Sequence, residues 1–143
     1  MPAGLQGRPF EIRFRGSTDY QYVKDCALTF IAAADEGLCP PGAHVFNLQG
    51  DSVDVEDVLG HVAAEMGWSS SSSSSSSTAA GQLTITGGAL PIPPRMDGSL
   101  LAEVLPPVLV PPKTGLADGI KETVAMFKHL QAQGRLDTRE LDE

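Results

Sequence analysis

The chain has 143 residues, with 18 aspartates and glutamates against 10 lysines and arginines and a formal charge of −8. That length suffices for one domain with a core of ordinary size, and a hydrophobic fraction of 41% excludes a collagen-like or wholly disordered polypeptide. The acidic balance argues against a nucleic-acid or anionic-membrane surface, and no apolar run approaches the roughly 18 residues of a spanning helix. The cysteines, Cys26 and Cys39, fit neither a disulfide scaffold nor a metal-ligand spacing, and no basic-then-apolar leader opens the sequence. A reduced, cytoplasmic chain is expected.

In chain order, Phe10 to Phe14 alternates apolar and charged residues and predicts a short strand stopped by Gly16. Val23, Ala27, Phe30, Ile31 and Ala34 recur at helical spacing, with Asp19 as a plausible N-cap and Gly37, Pro40 and Pro41 closing the helix. Ala43 to Leu48 reads as a buried strand. A second helix starts near Asp54 on the stripe Val55, Val58, Leu59, Val62 and Met66, with Asp57 in a capping-box-like position. Ser69 to Ser77 is unbroken serine, which cannot bury enough surface to offset its ordering entropy. It reads as a flexible loop, or as serines standing in for undetermined residues, and carries no chemistry.

Beyond it, Gln82 to Thr86 predicts a strand ended by Gly87 and Gly88, and the prolines of Leu90 to Pro94 predict an extended segment. Asp97 can cap a short helix running to Glu103, with Leu100, Leu101 and Val104 facing inward. The last helix starts at Thr114, carries Leu116, Ile120, Val124, Phe127 and Leu130 or Gln131, and stops at Gly134. The expected organisation is a strand-helix-strand-helix region over 1–68 and a Ser-rich segment over 69–80. A strand, a Pro-rich stretch and the C-terminal helices of the same region follow over 81–143.

Few residue patterns suggest chemistry. Tyr20 to Lys24 has the Tyr-x-x-x-Lys spacing in which a lysine one turn away lowers a tyrosine pKa for acid–base work. That chemistry needs a nicotinamide, and no glycine-rich strand-to-helix turn precedes Tyr20. Helix-start packing is the better reading of the motif. His44, His61 and His129 sit on separate elements without metal-ligand spacing. Ser17 and Ser52 lack a nucleophile elbow, and the carboxylates at 51, 54, 56 and 57 suit a helix N-terminus. No catalytic, cofactor-binding or metal-binding residue is therefore assigned. Arg95, the one cation in an extended apolar segment, is the candidate anion contact.

The order of these pieces resembles the NAD-dependent epimerase/dehydratase family, the extended short-chain dehydrogenases. Tyr20-Gln-Tyr-Val-Lys-Asp-Cys-Ala27 resembles its Tyr-Val-x-Asp-x-Ala helix, and Val45-Phe46-Asn47-Leu48-x-Gly50 resembles its Asn-x-x-x-Gly strand with one residue fewer before the glycine. Ser52-Val53-Asp54-Val55 resembles the start of its next helix. Asp97-x-Ser99 is similar to the Asp-x-Ser opening a late helix, and Thr114-Gly-Leu-x-x-Gly-Ile-x-x-Thr123 to its C-terminal helix. The resemblance covers nearly the whole chain outside the serine run. It implies an α/β fold: the C-terminal, substrate-binding part of an extended short-chain dehydrogenase (Rossmann-type) fold, with short strands and about four helices.

The same resemblance implies that the nucleotide-binding turn and the catalytic tyrosine belong to an N-terminal half not among these residues. NAD or NADP would serve the parent enzyme, and this chain alone would hold no cofactor and turn nothing over. Thr18 and the Gly87-to-Leu90 stretch stand where nucleotide-sugar epimerases carry arginine clamps, so a smaller sugar acid or hydroxy acid is expected. Leu90-Pro-x-Pro93 is closest to a D-erythronate dehydrogenase-like branch. Tyr20 and Arg95 match or neighbour pocket positions and are the expected substrate contacts. The expected partner is the missing Rossmann half or a second copy. The alternative is a non-catalytic binding or assembly module docking on a separate Rossmann chain.

Overall fold

The computed structural model describes residues 10–35, 41–68, 83–105 and 113–136. Eight elements follow one another there. They are β1 (Phe10–Ile12), β2 (Ser17–Tyr20), α1 (Val23–Ala33), β3 (Asp51–Asp54), α2 (Val55–Met66), β4 (Leu83–Ile85), α3 (Ser99–Val104) and α4 (Leu116–Ala132). The chain is mixed α/β, with its strands in two small pairs, β1 with β4 and β2 with β3. Two compact units are interleaved along the sequence. One comprises Met1–Ser17, Asp54–Pro91 and Ala117–Glu143, the other Thr18–Val53 and Ile92–Leu116. The serine run lies outside the described residues.

In the first unit β1 and β4 run parallel, with Phe10 opposite Leu83 and Ile12 opposite Ile85. Parallel pairing demands a long crossover between the strands, which α2 contributes. The alternation read at Phe10 to Phe14 is real but the strand stops at Ile12. Arg15 then returns to the ladder, its N–H on Gly88 O at 3.0 Å and its Nη2 on Ile85 O at 3.1 Å. Glu11 closes the exposed face of the pair, accepting from Thr86 Oγ1 at 2.6 Å and from Arg13 Nε at 2.9 Å. The Thr86 hydroxyl, and after it the Arg13 guanidinium, hold the Glu11 carboxyl below its usual pKa.

Helices α2 and α4 supply the apolar side of this unit. Val55 and Val62 of α2, Ile85 of β4, and Ile120 and Val124 of α4 are buried, as their i, i+4, i+7 spacing requires. Gly134 ends α4 at φ +64°, a left-handed conformation that glycine adopts without a Cβ penalty. From there Arg135 N–H reaches back to Leu130 O at 2.9 Å.

The second unit departs more from the sequence reading. Asp19 does not cap α1. Residues 17–20 form β2 instead, α1 begins after Tyr22, and Asp19 Oδ2 accepts the Met96 N–H at 3.0 Å. Its Oδ1 is buried without a hydrogen-bond partner. The strand expected over 43–48 is irregular chain, and Val45 is 86% exposed. Strand β3 lies further on, at Asp51–Asp54, paired with β2. A strand there leaves the Asp54 side chain to accept from Ser17 Oγ at 2.7 Å rather than cap α2.

Helix α1 is present, but the other side of it is buried. Thr29 and Ala32 face inward, while Val23, Phe30 and Ile31 of the expected stripe are exposed. Thr29 tolerates burial because its hydroxyl donates within the helix, to Asp25 O at 2.8 Å. Around α3, Leu101 and Leu105 are buried but Leu100 is exposed. The chain from 90 to 95 changes direction at 91–92 and again at 94–95 instead of running extended.

Candidate functional site

The second unit holds two concavities. The larger, of about 860 Å³, is lined mainly by apolar groups, among them Phe30, Val45, Phe46, Leu48 and Leu101. His44 belongs to this wall, stacked on Phe46 with ring centroids 5.8 Å apart. The smaller, of about 180 Å³, also has a mainly apolar surface, including Leu48 and Leu101, but more polar side chains border it. The start of α1 supplies Tyr22, Asp25 and Cys26, the preceding turn Gln21, the chain before β3 Gln49 and Gly50, and the chain before α4 Lys113.

Why these groups converge follows from three local constraints. Gly50 is buried, and a Cβ there would lie 2.6 Å from the Tyr20 carbonyl carbon and 2.7 Å from Gln21 Cγ. Only glycine lets the two chain segments approach so closely. Gln21 then bridges them, its Nε2 donating to Leu48 O and its Oε1 accepting from Cys26 Sγ at 2.7 Å. Asp25, in the first turn of α1, accepts the Thr114 N–H at 2.6 Å and the Thr114 hydroxyl at 3.0 Å. That clasp brings the neighbouring Lys113 to the pocket, where its Nζ lies 2.5 Å from Asp51 Oδ1.

Arg95 borders this pocket through Gln49. With the Gln49 amide oxygen turned to the guanidinium, it accepts from Nε at 2.9 Å and from Nη2 at 2.8 Å. The chain on either side of Arg95 is fixed as well. Ser52 Oγ donates to Pro94 O at 2.5 Å, Met96 N–H donates to Asp19, and Asn47 Nδ2 donates to Asp97 O at 3.2 Å. Asp97 accepts the Ser99 N–H at 3.0 Å. That bond, the Ser99 hydroxyl and then the Arg95 charge lower the Asp97 pKa. A loop cation whose side chain and backbone are both tethered is an oriented donor for a carboxylate.

Tyr20, the other expected contact, lines neither concavity. It ends β2, half-buried, with its carbonyl against Gly50. Tyr22, two residues on, lines the smaller pocket, and Lys24 Nζ sits 5.6 Å from its ring centroid. Because Tyr20 is in a strand and Lys24 in a helix, their spacing does not place them one helical turn apart. Gln21, Cys26, Gln49 and Lys113 were not singled out as contacts from sequence. Gln21, Cys26 and Gln49 fall within the quoted motifs without a role there, Lys113 lies just before one, and the Asp25–Thr114 clasp and the Gly50 approach gather them.

The junctions among the described residues lack a dinucleotide cradle. A pyrophosphate needs a glycine-rich turn leading from a strand into a helix N-terminus. β3 passes straight into α2 with no glycine and with Asp54, Glu56 and Asp57 at the helix start, where they would repel phosphate. Gly87 and Gly88 after β4 lead into irregular chain rather than a helix. Among the described residues no group of three or more His, Cys, Asp or Glu could hold a metal ion. No helix among them is long and apolar enough to cross a membrane.

Comparison with known proteins yields no match to any family model, any curated protein or any solved structure.

Proposed function

We propose that this chain is the substrate-binding portion of an NAD(P)-dependent epimerase/dehydratase-family oxidoreductase acting on a sugar acid or another small hydroxylated acid. The cofactor and the catalytic tyrosine are supplied from outside these residues. One observation carries the reading: a pocket of about 180 Å³ in which Lys113, the Gln21 and Gln49 amides and Tyr22 converge, with Arg95 tethered beside it. At roughly 30 Å³ per water, that volume suits a short polyhydroxy acid.

The chain's own residues bind and orient. Lys113, with donors left beside its ion partner Asp51, and Arg95 attract the carboxylate, and amide and phenol groups serve the hydroxyls. Asp25, committed to Thr114, shapes the wall without acting as a base. Calorimetric titration with a four-carbon sugar acid and, separately, with a nucleotide sugar tests this proposal. Saturable binding of the acid alone is expected. Binding of the nucleotide sugar, or of neither by a folded chain, defeats it.

A second reading, an assembly module docking on a separate Rossmann chain, is favoured by the β1 and β4 pair. Parallel strands belong inside larger sheets covered on both faces, and among the described residues this pair has no third strand. The two readings share a missing partner and differ in whether the smaller pocket takes a ligand.

A further inference from the structure

We infer that Asp51 is a specificity-determining residue of the smaller pocket, restricting it to an acid with a single carboxylate and turning away diacids of the same length. The inference rests on the small-acid reading and adds to it which acids the pocket refuses. Asp51 opens β3, and the chain on both sides of it is pinned. Gly50 packs against the Tyr20 carbonyl, and Ser52 Oγ donates to Pro94 O at 2.5 Å. Lys113 is held through its neighbour Thr114, which donates twice to Asp25. The 2.5 Å contact between Lys113 Nζ and Asp51 Oδ1 therefore joins two anchored segments, and it fixes a negative charge where the lysine meets the pocket.

The balance of charge around the pocket decides the class of acid. Lys113 lies on its lining and Arg95 beside it through Gln49. Asp51 already stands on the first of these cations, and Asp97 already feels the charge of the second. Lys24 is engaged over the Tyr22 ring. Asp25 adds a further carboxylate to the lining, its oxygens committed to Thr114. An ammonium has three donors, so Lys113 can hold one ligand carboxylate alongside Asp51. A second carboxylate finds none of these cations unanswered and meets the Asp51 and Asp25 charges instead. Discrimination commonly rests on such a repulsive element as well as on an attractive one. Neutral hydroxyls meet no such penalty, so the pocket separates a polyhydroxy monoacid from a diacid of equal length.

Calorimetric titration of the full chain with a four-carbon sugar monoacid and with a four-carbon hydroxy diacid reads the preference. An ionic strength of about 10 mM, where the screening length is ~30 Å, keeps the charges in view. The monoacid should bind about tenfold more tightly than the diacid. Asp51→Asn should raise diacid affinity about three- to tenfold while changing the monoacid less, and Asp51→Glu should keep the wild-type preference. A merely structural role would weaken both acids alike and leave their ratio in place. Circular dichroism checks each variant, and Asp51→Ser takes the place of Asp51→Asn should that protein fail to fold. A wild-type chain that takes the diacid as tightly as the monoacid overturns the inference, as does a ratio that the neutral substitution does not move. Both results leave the small-acid site standing. Binding of neither acid by a folded chain defeats the site itself, and the inference with it.

Discussion

Asp25 accepts both the backbone N–H and the side-chain hydroxyl of Thr114, 89 positions away, at 2.6 and 3.0 Å. This clasp joins the first turn of α1 to the chain that leads into α4 and sets Lys113 on the smaller pocket. Both partners are partly buried, so the bonds are shielded from water and removing the acceptor leaves a donor unsatisfied. Asp25→Ala is expected to cost about 2–3 kcal/mol and Thr114→Val, which removes only the hydroxyl, about 1 kcal/mol. Urea unfolding of both variants gives the comparison, and equal losses would deny the clasp its backbone bond.

Gly50→Ala should be as damaging through a different cause. The added methyl meets the Tyr20 carbonyl and the Gln21 side chain, and the backbone member of that pair cannot rotate away. A loss of about 1–3 kcal/mol is expected, together with weaker acid binding as Gln21 is displaced. A neutral substitution, by thermal unfolding and calorimetry, would mean that the two segments are further apart than described.

Acid should destabilise the chain in a defined window. The Glu11 and Asp97 carboxyls have folded-state pKa values below their usual 4.5 and 3.8, the first chiefly through the Thr86 hydroxyl, the second chiefly through the Ser99 N–H. Each bonded carboxylate therefore adds stability above its unfolded value and loses it as pH falls through the folded one. The urea midpoint should drop below about pH 4.5, and Thr86→Val should make that drop shallower by removing the largest contribution at Glu11. An unchanged acid limb in Thr86→Val would dismiss the Glu11 contact.

Among ligand contacts, Lys113→Met is expected to weaken binding of a four-carbon sugar acid about tenfold or more. Arg95→Ala should weaken it by a similar factor, because each removes a charge-assisted contact. Gln49→Leu keeps the Arg95 charge but frees the guanidinium, so an intermediate loss is expected. NADH should give no heat of binding with the same folded chain. Saturable one-to-one binding of NADH would reopen the fold assignment, since it would require a dinucleotide cradle these elements lack.

The helices were legible where amphipathic spacing was clear, as in α2 from Val55, and where a terminal glycine agreed with it, as in α4 up to Gly134. Strands β2 and β3 were not. Ser-Thr-Asp-Tyr and Asp-Ser-Val-Asp carry too few apolar residues for a period-two signal, and each looks like a helix start by its aspartates. Ala43 to Leu48 failed in the opposite direction, apolar enough for a strand yet left irregular with Val45 in solvent. On α1 the apolar stripe predicted burial, but Thr29 and Ala32 pack inward instead. Arg95 stood out in the sequence because a lone cation among prolines is conspicuous, and the structure sets it against Gln49 beside the smaller pocket. Lys113 and Gln49 did not stand out, since long-range contacts to Asp51 and Arg95 leave no local mark.

The most direct test of a small-acid site in the second unit is an amide-resolved NMR titration of the chain with a four-carbon sugar acid. The expected result is saturable shifts confined to the Gln21 and Gln49 side-chain amides and to the backbone amides of Gly50, Cys26 and Thr114. No shift at saturating ligand, or shifts centred on the β1 and β4 pair instead, would contradict the assignment of this pocket.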